Sequence, residues 1–171
     1  MPKVDKAIMS KKDKIASDLR RIIKSKNVLS NPDELRPFET DGLTAYRQLP
    51  LLVVMPETVE EVSQILKYCN ENKVKVVPRG AGTGLSGGSM PLEDCVLMAM
   101  GKFNKIIEID YENRCVVTQP GVTNLGITHA VQHKGVLLCS RSIKSISVFN
   151  WWKCCRKFRR SSFFKIRNNH E

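Results

Sequence analysis

Apolar positions along the chain change period several times, and the changes mark out elements. Val4, Ile8, Ile15, Leu19, Ile22 and Ile23 recur at helical spacing, which predicts an amphipathic helix over residues 4–24. Asn31-Pro32-Asp33 is a turn signal that ends any such run. Leu51 to Met55 is a continuous apolar run of strand length. Thr58 followed by Glu61 has the spacing of a capping box, in which each side chain satisfies the other's backbone amide. Val59, Val62, Ile65, Leu66 and Cys69 then form one helical face, and Val74 to Val77 reads as a second strand. Three more strands are predicted at Cys95–Met100, Lys105–Ile109 and Arg114–Thr118, with a turn at Asp110–Asn113. Pro120-Gly121 stops the last of them, and Thr123 is placed to cap a helix over Asn124–His133. The pattern is α+β: an early β-α-β unit, then a strand-rich stretch.

Composition changes that picture at one place. The chain has 171 residues and a net charge of +11, which invites a nucleic-acid partner. The charge is unevenly spread. Residues 136–171 hold nine Lys/Arg against Glu171 alone, whereas the first 135 residues hold 19 basic and 16 acidic side chains. Both tryptophans and three of the six cysteines also fall in the tail. Two compositions therefore join near Gly135. The charged N-terminus has no apolar segment of secretory type, and no apolar run approaches the ~18 residues of a membrane span. A cytoplasmic location is the expectation. Cys69, Cys95, Cys115, Cys139, Cys154 and Cys155 form no C-x-x-C pair, so buried or incidental thiols are expected rather than a disulfide framework or a metal site.

The candidate chemistry lies in Pro78-Arg79-Gly80-Ala81-Gly82-Thr83-Gly84-Leu85-Ser86-Gly87-Gly88, where five of eleven residues are glycine. Gly82 to Gly87 satisfies G-x-G-x-x-G after a strand, the form of a nicotinamide-dinucleotide loop. The context does not fit. That loop opens a helix whose N-terminus holds the pyrophosphate, and an acidic residue follows ~20 positions on. Here Pro91 and a strand follow at once, and Lys102 and Phe103 stand at the acid's distance. A Walker loop is excluded by the missing Gly-Lys-Ser/Thr. A strand–loop–strand connection remains, in which glycines can take positive φ and turn successive amides toward one anion. Arg79 could add charge, and Thr83 and Ser86 hydroxyl donors. A flexible loop without a ligand is the other reading of the same composition.

The segment Val76–Gly88 resembles the pyrophosphate loop of FAD-binding oxidoreductases of the p-cresol methylhydroxylase/vanillyl-alcohol oxidase (PCMH) type. It is most similar to the glycolate oxidase D subunit and D-lactate dehydrogenase group. The resemblance runs from about Asn27 to Gly135 and includes Asp41 to Tyr46, Pro50 to Pro56, Gln119 to Val122, and Asn124-Leu125. It implies the N-terminal part of a PCMH-type FAD-binding domain, incomplete over residues 47–135, after a helical and extended segment over 1–46. It implies FAD as cofactor, with the diphosphate on Pro78, Arg79, Gly80, Ala81, Gly82, Thr83 and Gly84. Leu85, Ser86 and Gly87 would continue along the cofactor, and Pro120, Gly121 and Val122 would lie near the flavin. The implied reaction is oxidation of a small 2-hydroxy acid to a 2-oxo acid, with electrons passed onward and other dehydrogenase subunits as partners of the full-length form. No catalytic residue is expected within this chain, since the family's substrate domain comes later.

Beyond Gly135 the family continues approximately Phe-Tyr-Tyr-Ala-Pro-Asp-Pro, and then Ile-Gly-Gly-Asn-Val-Ala-Glu-Asn-Ser-Gly-Gly. This chain departs from it, but the genetic code relates the two. Dropping one base turns Trp151 and Trp152, each with a single codon, into forced glycines. Asn150 then permits Ile, Lys153 permits Asn, and Cys154-Cys155 permit Val-Ala. Arg156 to Arg160 permit Glu-Asn-Ser-Gly-Gly, and Val136 to Ser142 permit Phe-Tyr-Tyr-Ala-Pro-Asp-Pro. The isoleucine usual at position 146 is not permitted. Residues 136–171 therefore read as an out-of-frame tail with no native fold, which leaves the basic charge without a function. The competing reading is a small basic protein that binds nucleic acid through Trp151, Trp152 and the Lys/Arg tail; no nucleic-acid partner is expected.

Overall fold

A computed structural model describes residues 4–138 and 162–168, with side chains described only up to residue 135. The chain forms two compact units, residues 1–100 and 101–171.

The first unit opens with two helices, α1 (Lys6–Met9) and α2 (Lys12–Ile22), where the periodicity predicts one. The break has a local cause. Asp5 caps α1 by accepting from the Ala7 amide, and the Ser10 hydroxyl donates to the Ala7 carbonyl at 3.0 Å, closing the helix after one turn. Ile15, Ala16 and Leu19 are the buried face of α2. After β1 (Val28–Leu29) and the short α3 (Pro32–Leu35) come β2 (Leu52–Val54), α4 (Val59–Glu71), β3 (Lys75–Arg79) and β4 (Cys95–Ala99).

The β2–α4–β3 unit is present, and its helix begins with the expected capping box: the Thr58 hydroxyl accepts from the Glu61 amide, and the Glu61 carboxylate from the Thr58 amide. The buried stripe of α4 is narrower than the apolar pattern suggests. Ile65 and Cys69 are buried, whereas Val59 and Leu66 are exposed, because one-sided packing covers only positions one turn apart. Sheet order departs from chain order. The strands run β1-β2-β4-β3, with β4 parallel to both neighbours, so β4 lies between the two strands of the crossover unit. All five residues of β4 are buried, as suits a central parallel strand. Pro78 falls within β3, the edge strand, where a missing amide is tolerated.

An ion pair between an exposed lysine and a buried carboxylate closes the end of this sheet where β4 begins. Lys75 Nζ stands 2.7 Å from Asp94 Oδ2, and the Asp5 amide donates to the same oxygen at 2.8 Å. Asp94 is 2 % exposed. Burial alone would raise its carboxyl, but the Lys75 and Asp5 hydrogen bonds and the Lys75 charge outweigh it and hold the group below its ordinary value of 3.8.

The second unit holds β5 (Ile106–Asp110), β6 (Cys115–Thr118), α5 (Asn124–Val131), β7 (Val136–Leu138) and β8 (Ser162–Asn168). The β5–β6 hairpin turns where Asp110 accepts from both the amide and side chain of Asn113, and its register shifts between Ile106 and Glu108. Thr123 caps α5, accepting from the Gly126 amide at 3.0 Å. Helix α5 ends two residues earlier than expected and gives way to a 3-10 turn over Gln132–Lys134, closed by Gly135 at φ 68°. Val116, Val122, Ile127 and Val131 form the core, with Ile106 and Ile109 against it.

Two segments of the tail are strands, which local strand propensity alone can produce. β8 pairs antiparallel with β6 and with β7, giving the order β5-β6-β8-β7. Strand formation there needs no selected sequence: Phe163, Phe164 and Ile166 have high strand propensity, and β6 otherwise offers an unpaired edge. Trp151 and Trp152 lie outside the described residues.

The Lys75–Asp94 pair generates a pH prediction. A carboxyl depressed on folding contributes stability above its unfolded value, and that contribution is lost as pH falls through the folded value. Asp94→Asn should cost roughly 1–3 kcal/mol at pH 7. It should also shrink the stability loss of the parent below about pH 4. Thermal melts of both proteins between pH 7 and pH 3 check this; parallel curves would exclude Asp94 as the group responsible.

Candidate functional site

The glycine-rich segment connects the C-terminal end of β3 to the start of β4. These strands are adjacent and parallel, so residues 80–94 must travel the length of the sheet. They do so without a helix. That geometry removes the helix N-terminus on which a nicotinamide-dinucleotide site depends, as the early Pro91 predicts.

Gly82 and Gly87 adopt φ of 70° and 71°, which turns the chain sharply twice within six residues. Among the described residues, no backbone amide from Ala81 to Gly88 donates to a backbone carbonyl. A run of amides with no internal acceptor is the donor set that an anionic ligand requires. The space is also there. A Cβ added at Gly84, Gly87 or Gly88 would meet nothing within 4 Å. Gly84, Ser86 and Gly88 are exposed, and Leu85 is 68 % exposed. Gly80, Ala81 and Thr83 are half-buried, as is Pro78 within β3. No carboxylate lies between Pro78 and Met90 to oppose an anion.

Arg79 is placed differently from its neighbours. It is 8 % exposed, and its Nη1 donates to the Thr40 carbonyl at 2.6 Å. Its guanidinium lies 5.7 Å from the centroid of the Phe38 ring. Burial lowers its pKa, and the nearby Asp41 charge opposes that. A guanidinium keeps its proton in such surroundings. Asp41 is itself buried: Oδ1 accepts from the Leu43 amide at 2.8 Å, while Oδ2 has no hydrogen-bond partner among the described residues. Sequence reasoning missed the support given by residues 38–42. Gly42 carried a signal, standing in the Asp41–Tyr46 segment of the family resemblance, whereas the Thr40 carbonyl carried none.

Pro120, Gly121 and Val122 belong to the second unit. The Gly121 amide donates to the Phe103 carbonyl at 2.7 Å and the Val122 amide to the Gln119 carbonyl at 3.2 Å, forming a tight turn after β6. Val122 is 5 % exposed and packs in the core, so it shapes this turn from within. Thr118, just before the turn, has a buried hydroxyl without a partner among the described residues.

The FAD binding domain family matches residues 50–151, more than half of the chain. The chain belongs to this family. FAD is therefore the cofactor of this domain, and the open, donor-rich surface of the glycine loop has the chemistry to take a diphosphate. The chain is 49 % identical over 113 residues to glycolate oxidase subunit GlcD of Escherichia coli K12, covering 66 % of this chain and 23 % of that protein. It is 34 % identical over 125 residues to mitochondrial D-2-hydroxyglutarate dehydrogenase of Arabidopsis thaliana, covering 73 % and 22 %. The chain thus spans less than a quarter of the length of these relatives. Among solved structures it resembles p-cresol methylhydroxylase with substrate bound, at TM-score 0.73 and 27 % identity, over 82 % of this chain and 28 % of the other. An alkyldihydroxyacetonephosphate synthase, at TM-score 0.72 and 18 % identity, shares the fold. The PCMH-type fold expected from the loop is the one found.

Cys69 and Cys95 are buried free thiols, and burial pushes each up to about 11, so neither is a thiolate at neutral pH. Cys115 is half-buried, and the other three cysteines lie outside the described residues.

Gly82 and Gly84 separate ligand effects from stability effects. Gly84→Ala should leave the melting temperature within about 2 °C of the parent, since its methyl enters open space. It should weaken nucleotide binding, because that space is where the ligand approaches. Gly82→Ala should lower stability by roughly 1–2 kcal/mol, from the positive φ and from collision with the Arg79 guanidinium. Denaturant unfolding together with flavin fluorescence titration checks both; equal stability losses would refute the distinction.

Proposed function

We propose that this chain is the diphosphate-binding part of a flavin-dependent 2-hydroxy-acid dehydrogenase of the glycolate or D-lactate type. The observation that carries the reading is the helix-free glycine loop at the end of β3, whose amides have no internal backbone acceptor. Similarity to glycolate oxidase subunit GlcD and to D-2-hydroxyglutarate dehydrogenase supports the substrate class. When bound, FAD supplies the hydride-accepting chemistry. The chain's own contribution is placement. Loop amides up to Gly84 would hold the diphosphate, with Leu85, Ser86 and Gly87 continuing along the cofactor; Pro120, Gly121 and Val122 are the proposed flavin-side residues of the second unit. Residues that bind the hydroxy acid belong to a part of the protein this chain does not contain, so turnover by the 171-residue polypeptide is not expected. The location we propose is cytoplasmic, and other dehydrogenase subunits are the proposed partners of the full-length form.

The tail from Val136 onward is proposed to arise from a one-base change of frame near Gly135. The forced glycines at Trp151 and Trp152 support this. The family match to residue 151 defines the competing case of an in-frame tail. Sequencing the DNA across codons 130–171 decides between them.

Restoring the frame and purifying the protein should give a yellow protein with a flavin absorption spectrum that reduces on addition of glycolate or D-lactate. A colourless protein that takes up no added FAD would defeat the cofactor assignment. A yellow protein reduced by neither acid would leave FAD in place and defeat the substrate class.

A further inference from the structure

We propose that residues 38–42 form a floor that sets the conformation of the glycine loop, and that Arg79 and Gly42 are positioning residues that never touch the cofactor. The binding consequence rests on the cofactor reading above; the effect on the loop itself does not.

Two contacts, made from opposite directions in sequence, carry the proposal. Arg79 ends β3, but its side chain does not point to the open face of the loop. It turns beneath, donating to the Thr40 carbonyl and lying against the Phe38 ring. In that position its guanidinium fills the space under Gly82, where any Cβ would collide with it. The second contact is made by Gly42. A Cβ there would stand 2.8 Å from the carbonyl oxygens of both Thr83 and Gly84, and 2.9 Å from the Thr83 carbonyl carbon. These atoms are backbone, which cannot swing aside as a side-chain end can. Gly42 shows no positive φ, so close approach is the reason for glycine here.

Asp41 sets the second contact. Its Oδ1 holds the Leu43 amide at 2.8 Å, which sets the turn that presents Gly42 to the loop. The Arg79 guanidinium is committed to the Thr40 carbonyl and the Phe38 ring, so it is not aimed at a ligand on the open face of the loop. The attraction for a diphosphate is then left to the amides of the loop, and the affinity depends on how well those amides are preorganised. The floor supplies that order at Gly82, Thr83 and Gly84, the stretch expected to hold the diphosphate.

The test uses the 171-residue chain and three variants: Gly42→Ala, Arg79→Lys and Arg79→Met. The first readout is the backbone heteronuclear NOE of the Thr83–Gly87 amides without nucleotide, with Val96 and Leu97 in β4 as internal controls. The second is FAD affinity by fluorescence at two salt concentrations. Gly42→Ala should lower the loop values while the β4 values hold, and weaken FAD binding at least about tenfold. Arg79→Lys should behave like Arg79→Met in both readouts, because an ammonium cannot reproduce the planar contact with Phe38 and Thr40. The salt dependence of FAD binding should match the parent in the charge-conserving variants, Gly42→Ala and Arg79→Lys. Parent-like loop order in Gly42→Ala would overturn the floor. So would Arg79→Lys retaining parent affinity while Arg79→Met loses it with a shallower salt dependence, since charge at the phosphate would then be the role of Arg79. If no form binds FAD yet the loop values still fall, the floor stands, and the affinity comparison is made in the frame-restored protein, where loss of the cofactor reading is read separately. If Gly42→Ala loses the β4 signals as well, the Arg79→Lys comparison decides alone.

Discussion

The first unit depends on one constraint: β4 is apolar along its whole length and must be covered on both edges and both faces. Five consecutive buried residues, Cys95 to Ala99, leave no side of that strand for solvent. Coverage on its edges comes from β2 and β3, both parallel to it. Once β3 and β4 are parallel neighbours, their connection must return along the sheet. The functional loop is the start of that return. Its place at the C-terminal end of a parallel strand follows from packing before any ligand is considered, and such strand ends are where α/β sheets carry ligands.

Local chemistry was legible in the sequence where the determinants are close together. The Thr58–Glu61 box, the Asp110–Asn113 turn and the Thr123 cap each involve groups within three residues of one another, and each is present. The helix-free glycine loop was legible for a similar reason, because Pro91 and the strand after it lie in the same short segment. The insertion of β4 between β2 and β3 was not legible. Periodicity reports which residues are apolar, and sheet order is set by long-range pairing that no local window contains. The division of the first helix was missed because the apolar spacing runs across the break, while the Ser10 hydroxyl competes for the Ala7 carbonyl there.

At the site, the structure gives side-chain directions that residue types alone did not. Arg79 stands in the glycine segment as expected, but its side chain is directed toward Phe38 and Thr40. A strand residue faces one side or the other of its sheet, and composition does not say which side a ligand takes. Gly42 is about forty residues from the loop in sequence and packs directly on it. Such tertiary contacts are where a single sequence says least, and here they are what gives the loop its shape.

Pro78 has a consequence for how the protein behaves in company. It lies within β3, which pairs with β4 on one side and with no other strand among the described residues. A sheet edge of this kind ordinarily recruits strands from other molecules, because its peptide groups seek partners. Proline removes a donor from that edge, and the charged Lys75 at the start of the strand adds a desolvation cost to any newcomer. Self-association through this border is thereby discouraged by the same strand whose far end carries the glycine loop.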